Sequence, residues 1–162
     1  MAHAPTLICL LAGTALLAGC STSPTPVTPL SEVATANTPA PATPAALAAL
    51  NEADLRLARL VAGGQTVALP AEKLPVLQFL EGGRVAGFAG VNRFNGAFTL
   101  RDGGVLEWSP GPAVTRMAGP PERMALESAF LKALPATTRL GVLPYGVVFQ
   151  SDDGKNVVEL VK

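Results

Sequence analysis

The stretch Phe79-Leu80-Glu81-Gly82-Gly83-Arg84-Val85-Ala86-Gly87-Phe88-Ala89-Gly90-Val91-Asn92-Arg93-Phe94-Asn95-Gly96-Ala97-Phe98 decides the fold. Two short apolar runs, Val76–Leu80 and Arg84–Ala89, flank Glu81-Gly82-Gly83, which is a hairpin signal. After the hairpin, Gly90–Gly96 is rich in glycine and asparagine. Its glycines permit positive φ or close backbone approach, and Asn92 and Asn95 can hydrogen-bond local backbone. Phe94 and Phe98 read as core anchors. The first reading of this loop is structural; the alternative is a ligand or partner loop. It is not a phosphate-binding loop, because no Gly-Lys-Ser/Thr follows.

Working outward, the same grammar repeats. Ala97–Arg101 and Val105–Trp108 flank Asp102-Gly103-Gly104, a second hairpin. Tyr145–Gln150 and Asn156–Val161 flank Ser151-Asp152-Asp153-Gly154-Lys155, read as a hairpin turn; the acids lack the alternation and late Glu of a calcium loop. Thr66–Leu69, Val114–Met117 and Thr138–Leu143 are further strand candidates. Leu55-Arg56-Leu57 opens the first strand, closed by Gly63-Gly64, although Glu52–Leu60 is also good helix material that Asn51 could cap. Short links allow only antiparallel pairing, so the expectation is mainly β: a small antiparallel sheet, curled and barrel-like, with one packed α-helix.

That helix spans 121–134. Pro120-Pro121 pre-set its first turn, Glu122 suits its N-terminus, and Met124, Leu126, Phe130, Leu131 and Leu134 form its apolar face before Pro135 ends it. Glu127 falls inside that arc. Either it sits at the helix edge and reaches water, or it is buried and needs a partner. The expectation is burial, with hydrogen bonds to the Gly90–Gly96 backbone.

Composition narrows the chemistry. The chain has 162 residues, 12 basic against 12 acidic, and only 15% charged, so it lacks the basic face that nucleic acid requires. Its single histidine, His3, and both cysteines, Cys9 and Cys20, fall in the first 20 residues. The remainder therefore has no Ser-His-Asp set, no cysteine nucleophile and no Cys/His metal site. The expectation is a protein that is not an enzyme and uses no cofactor or metal.

The N-terminus reads as an address. Leu7–Gly19 is uncharged, and the first charged side chain is Glu32. The run is too short to span a bilayer and suits a secretory signal. It ends Leu17-Ala18-Gly19-Cys20, which resembles a bacterial lipobox, although Met1–Thr6 carries no Lys or Arg. That resemblance implies cleavage before Cys20, diacylglycerol on its thiol and acylation (palmitate) of the new terminus, giving stable anchoring. Residues 1–19 are then the signal peptide, 20–50 a lipidated cysteine with a Pro/Thr/Ala-rich linker, and 51–162 the folded domain. Residues 21–44 are expected to lack structure, with prolines at 24, 26, 29, 39, 41 and 44. Ser21 is not the Asp that favours inner-membrane retention, which points to the outer membrane where one exists.

Two blocks carry a resemblance. Gly90, Asn92, Phe94 and Gly96 match the Gly-Cys-Asn-x-Phe-x-Gly signature of the META domain (HslJ-like) family, and Thr115-Arg116-Met117-Ala118-Gly119 is similar to its Thr-x-Met-Ala-Cys. Glu127, Phe130 and Leu134 follow at the family's spacing, and Leu55-Arg56-Leu57 stands where the family often has Trp-x-Leu. The resemblance spans about residues 54–162. It implies a small antiparallel β-barrel with one helix in an envelope or stress-response lipoprotein, and it offers no catalytic residues to transfer. The structural motif is Gly90, Asn92, Phe94, Gly96, Thr115, Met117 and Glu127; the lipidation site is Cys20. Val91 and Gly119 stand where the family usually has cysteines. A paired loss is expected to leave them as neighbours, with Val91 buried and Gly119 at the turn into the helix.

The resulting expectation is a non-enzymatic, monomeric, lipid-anchored cell-envelope protein. It would contact the membrane through its anchor and an envelope protein through its surface, with no nucleic acid. The alternatives are a binder of a small apolar ligand inside the barrel, or a periplasmic hydrolase inhibitor presenting Ser109–Gly119.

Overall fold

The computed structural model describes residues 38–162. Cys20, the signal segment and residues 21–37 lie outside the described residues. Eleven strands run in chain order: β1 Ala40–Pro41, β2 Leu55–Ala62, β3 Gln65–Thr66, β4 Val76–Leu80, β5 Arg84–Phe88, β6 Arg93–Arg101, β7 Val105–Trp108, β8 Ala113–Val114, β9 Arg139–Leu143, β10 Gly146–Gln150 and β11 Val157–Val161. Two α-helices, α1 Pro44–Ala48 and α2 Pro121–Ala133, join them, and α2 continues into a short 3-10 turn over Leu134–Ala136.

The sheet closes on itself. Its order is β9-β10-β11-β2-β4-β5-β6-β7, and Val105 of β7 then pairs with Arg139 of β9. The result is an eight-stranded barrel, and every pairing between named strands is antiparallel. The three hairpin turns named from the sequence each link neighbouring strands in register. Small barrels of this strand number have an interior that side chains fill. Here Phe79 stacks near Phe149 at 6.1 Å and meets Phe98 edge-on at 6.2 Å, while Trp108 lies 5.5 Å from Phe98 and 6.0 Å from Phe149. The Trp108 indole N–H donates to Thr137 Oγ1 at 3.3 Å, giving its polar edge a partner.

Strand β2 explains the conflict between helical and strand signals. Leu55, Leu57 and Leu60 are all buried, so inward residues lie two apart and then three apart. The register against β11 shifts between Glu159 and Leu160, which pair with Arg59 and Leu57 and leave Ala58 unmatched. The three-residue spacing that resembled a helix is thus a β-bulge. The strand reading of Leu55–Leu57 holds and extends to Ala62.

Other boundaries differ from expectation. The 66–69 strand shrinks to Gln65–Thr66, and the 114–117 strand to Ala113–Val114. Strand β6 starts at Arg93, because residues 93–97 pair along the whole of β5. Phe94 and Gly96 therefore lie in a strand; the loop is only 89–92.

The linker assignment needs correction at its end. Residues 38–44 were expected to lack structure and the domain to start at 51. Instead Ala40 and Pro41 pair with Val142 and Gly141 of β9, and the Ala42 N–H donates to the Leu140 carbonyl at 2.9 Å. Thr43 caps α1, its Oγ1 accepting from the Ala46 N–H at 3.2 Å. Ala42, Leu47 and Leu50 are buried in the main core. The prolines that argued against structure occupy tolerated places: Pro41 lies on an edge strand and Pro44 at the first position of a helix.

Candidate functional site

Helix α2 packs against β2 and β11 and presents Leu126, Glu127, Phe130 and Ala133 inward. Phe130 meets Phe94 of β6 edge-to-face at 5.5 Å. Directly beside that contact lies the turn between β5 and β6, closed by the Ala89 N–H donating to the Asn92 carbonyl at 2.8 Å. Gly90 adopts φ +131°, a conformation that residues with side chains rarely take, and it does so beside the Arg123 carbonyl and Glu127 of α2. Glycine thus permits the backbone turn that brings this loop to the helix.

The turn is fastened by one carboxylate. Glu127 is 5% exposed. Its Oε2 accepts from the Val91 N–H at 2.9 Å and the Asn92 N–H at 2.6 Å, and its Oε1 accepts from Asn92 Nδ2 at 2.7 Å. The expectation of a buried Glu127 bonded to this backbone holds. Asn92, 2% exposed, carries the network onward. Its Nδ2 also donates to the Met117 carbonyl at 3.1 Å, and its Oδ1 accepts from the Met117 N–H at 2.7 Å and from Thr115 Oγ1 at 3.0 Å. Both donor hydrogens and both acceptor lone pairs of the amide are occupied. Thr115 Oγ1 in turn accepts from the Arg93 N–H at 3.1 Å, and the Thr115 N–H donates to the Arg93 carbonyl at 3.0 Å.

Three chain segments therefore meet at one clasp with Asn92 and Glu127 buried at its centre: the β5–β6 turn, the exposed residues 115–117 and α2. It unites Gly90, Asn92, Thr115, Glu127 and the backbone of Met117. The Met117 side chain is 60% exposed and takes no part. Phe94 lies beneath, against Phe130. Gly96 stands apart, beside Val85, Trp108 and Pro112, where a methyl would make ordinary contacts of 3.5–3.7 Å.

Val91 and Gly119 are neighbours, as the resemblance implied. A Cβ placed on Gly119 would lie 3.3 Å from Val91 Cβ and 2.7 Å from both Val91 methyls. Gly119 immediately precedes Pro120, the cap of α2. Val91 is half-buried, not buried as expected, because it lies at the barrel rim and its methyls cover the bare backbone of Gly119.

A second polar cluster lies in the 151–155 hairpin turn. Ser151, buried, donates to Asp153 Oδ1 at 2.6 Å and accepts from the Asn156 N–H at 2.9 Å, while the Lys155 N–H donates to Asp153 Oδ1 at 3.0 Å. The Ser151 hydroxyl, followed by the Lys155 N–H, holds the Asp153 carboxyl below its usual range. The Arg139 guanidinium does the same for Asp152. The acids of 151–155 thus serve a hairpin turn. Among the described residues no group of three His, Cys, Asp or Glu side chains is placed to hold a metal, and no helix is long and apolar enough to cross a membrane. A cleft of about 530 Å³ forms a surface groove between α1 and the β4–β5 turn, lined by Leu47, Phe79 and Leu100 among others.

Fold and clasp together define a small closed β-barrel domain locked by one helix. A family model for the META domain matches residues 48–161, and the chain belongs to the META domain family. Among solved structures it is similar to the NMR structure of a protein from Burkholderia xenovorans, with 27% identity and a TM-score of 0.58 over 76% of this chain and 90% of that one. No curated protein matches it significantly.

Proposed function

We propose that this META-domain protein is a non-enzymatic, lipid-anchored module of the cell envelope that works through protein contacts and supports envelope integrity under stress. One observation carries the non-enzymatic reading. The polar atoms of Asn92 and Glu127, the chemistry-bearing residues of the family motif, are spent on one another and on local backbone. Catalysis needs donors or acceptors aimed at a substrate. The aromatic filling of the barrel likewise favours a contact module over a carrier of an internal apolar ligand. The anchor rests on Leu17-Ala18-Gly19-Cys20 behind an uncharged run.

The test is acylation and location of the full chain. Metabolic labelling with a fatty acid should mark the wild-type protein and place it in the membrane fraction, whereas Cys20→Ala should be unlabelled and released. A wild-type chain that is unlabelled and recovered free of membranes would refute the anchor.

A further inference from the structure

The clasp fixes the conformation of a segment that it leaves uncovered. Strand β8 pairs with β6 alone. In the register Phe94↔Val114, the bond between strands runs from the Thr115 N–H to the Arg93 carbonyl. Val114 is therefore the non-bonded partner, and its own N–H and C=O turn away from the sheet. Thr115 is tied inward through its N–H and hydroxyl, and Met117 through both its N–H and its C=O. Between them, neither main-chain group of Arg116 has a partner among the described residues. The segment thus continues the β8 edge, with residues 115 and 117 fastened inward, the main-chain groups of Val114 turned away from the sheet, and those of Arg116 left without a partner among the described residues. An edge of this kind is a template for strand addition.

The side chains select among possible occupants. Arg116 is exposed and joins no ion pair among the described residues. From Ser109 to Pro121 it is the only charged residue, and Pro110, Pro112, Pro120 and Pro121 stiffen both flanks. A serine endopeptidase of the trypsin class binds an extended chain by pairing with alternate main-chain groups and takes one cationic side chain into a pocket with an acid at its base. We propose that Val114–Met117 is an inhibitory loop for a trypsin-like serine endopeptidase, with Arg116 entering the specificity pocket and Val114 pairing with the enzyme's strand. Asn92 would act as a positioning residue: gripping Met117 on both sides, it keeps the Arg116–Met117 bond from moving as a substrate's bond must. Rigid presentation of this kind lowers the ordering cost of binding. The inference rests on the reading of a module that works through protein contacts and is independent of the lipid anchor.

The test titrates trypsin with the full chain purified in non-ionic detergent, with chymotrypsin in parallel. Trypsin should be inhibited, with the Arg116–Met117 bond largely intact in the complex, and chymotrypsin should not. Arg116→Lys should retain inhibition. Arg116→Ala, at an exposed position, should keep the fold and weaken inhibition by about thirtyfold or more, as a central anchor residue does. Asn92→Ala, if it folds, should turn the loop into a cleaved substrate. Absence of inhibition, rapid cleavage after Arg116 in the wild-type chain, inhibition of chymotrypsin instead, or unchanged inhibition by Arg116→Ala would each overturn the proposal. None of these outcomes bears on the labelling of Cys20, so the two readings fail separately.

Discussion

The Nδ2 of Asn92 lies 2.7 Å from Oε1 of Glu127, joining residues 35 apart in sequence within the barrel's most polar buried site. Because the carboxylate receives three N–H groups, an isosteric amide cannot replace it. In Glu127→Gln one oxygen becomes an NH₂ facing a donor. The loss should be about 2–3 kcal/mol, the cost of leaving buried donors unpaired. Urea unfolding should show a lower midpoint with an unchanged slope.

Val91 and Gly119 form a complementary pair of shapes. Gly119→Ala should destabilise by about 1–3 kcal/mol through overpacking on the Val91 methyls. Combining it with Val91→Ala should recover most of that, a coupling a double-mutant cycle reads directly. The double variant Val91→Cys, Gly119→Cys should cross-link under mild oxidation and gain about 3 kcal/mol over its reduced form. Two free thiols after oxidation would count against the neighbour geometry.

Residues 40–50 belong to the fold. Leu47 is buried against the core, so Leu47→Ala should cost about 2–3 kcal/mol. Thermal unfolding is the check. An unchanged Tm would mean that α1 does not pack as described.

At acid pH the 151–155 turn should loosen. The folded state lowers the Asp153 carboxyl, chiefly through the Ser151 hydroxyl, so the unfolded chain binds a proton more readily. The contribution is complete above the unfolded value of about 3.9 and fades as pH falls through the lower folded value. Asp153→Asn should flatten that part of the stability–pH profile. An identical profile in wild type and variant would reject the assignment.

Much of this was legible because glycine-rich turns punctuate a chain of short strands. Gly82-Gly83, Gly103-Gly104 and Gly154 each mark a real hairpin, and the pattern around Phe130 marks the helix. Glu127 could be found because a carboxylate within an apolar arc must have a partner. The bulge at Ala58 was hidden, since a bulge converts the two-residue period of a strand into a three-residue step that mimics a helix. The strand at Ala40–Pro41 was hidden by its prolines, which read as a tether until β9 is there to pair with. The role of Asn92 was only half visible: a local turn was expected, whereas its amide reaches Met117 and Thr115 across a sequence gap that only the closed barrel brings together.

The central claim, that the family motif is a structural clasp, is tested most directly by a double-mutant cycle between Asn92→Ala and Glu127→Ala followed by chemical denaturation. A clasp predicts a coupling energy of about 1.5–3 kcal/mol, because either substitution alone already strips the other residue of its partner. Additive effects, within about 0.5 kcal/mol, would contradict it.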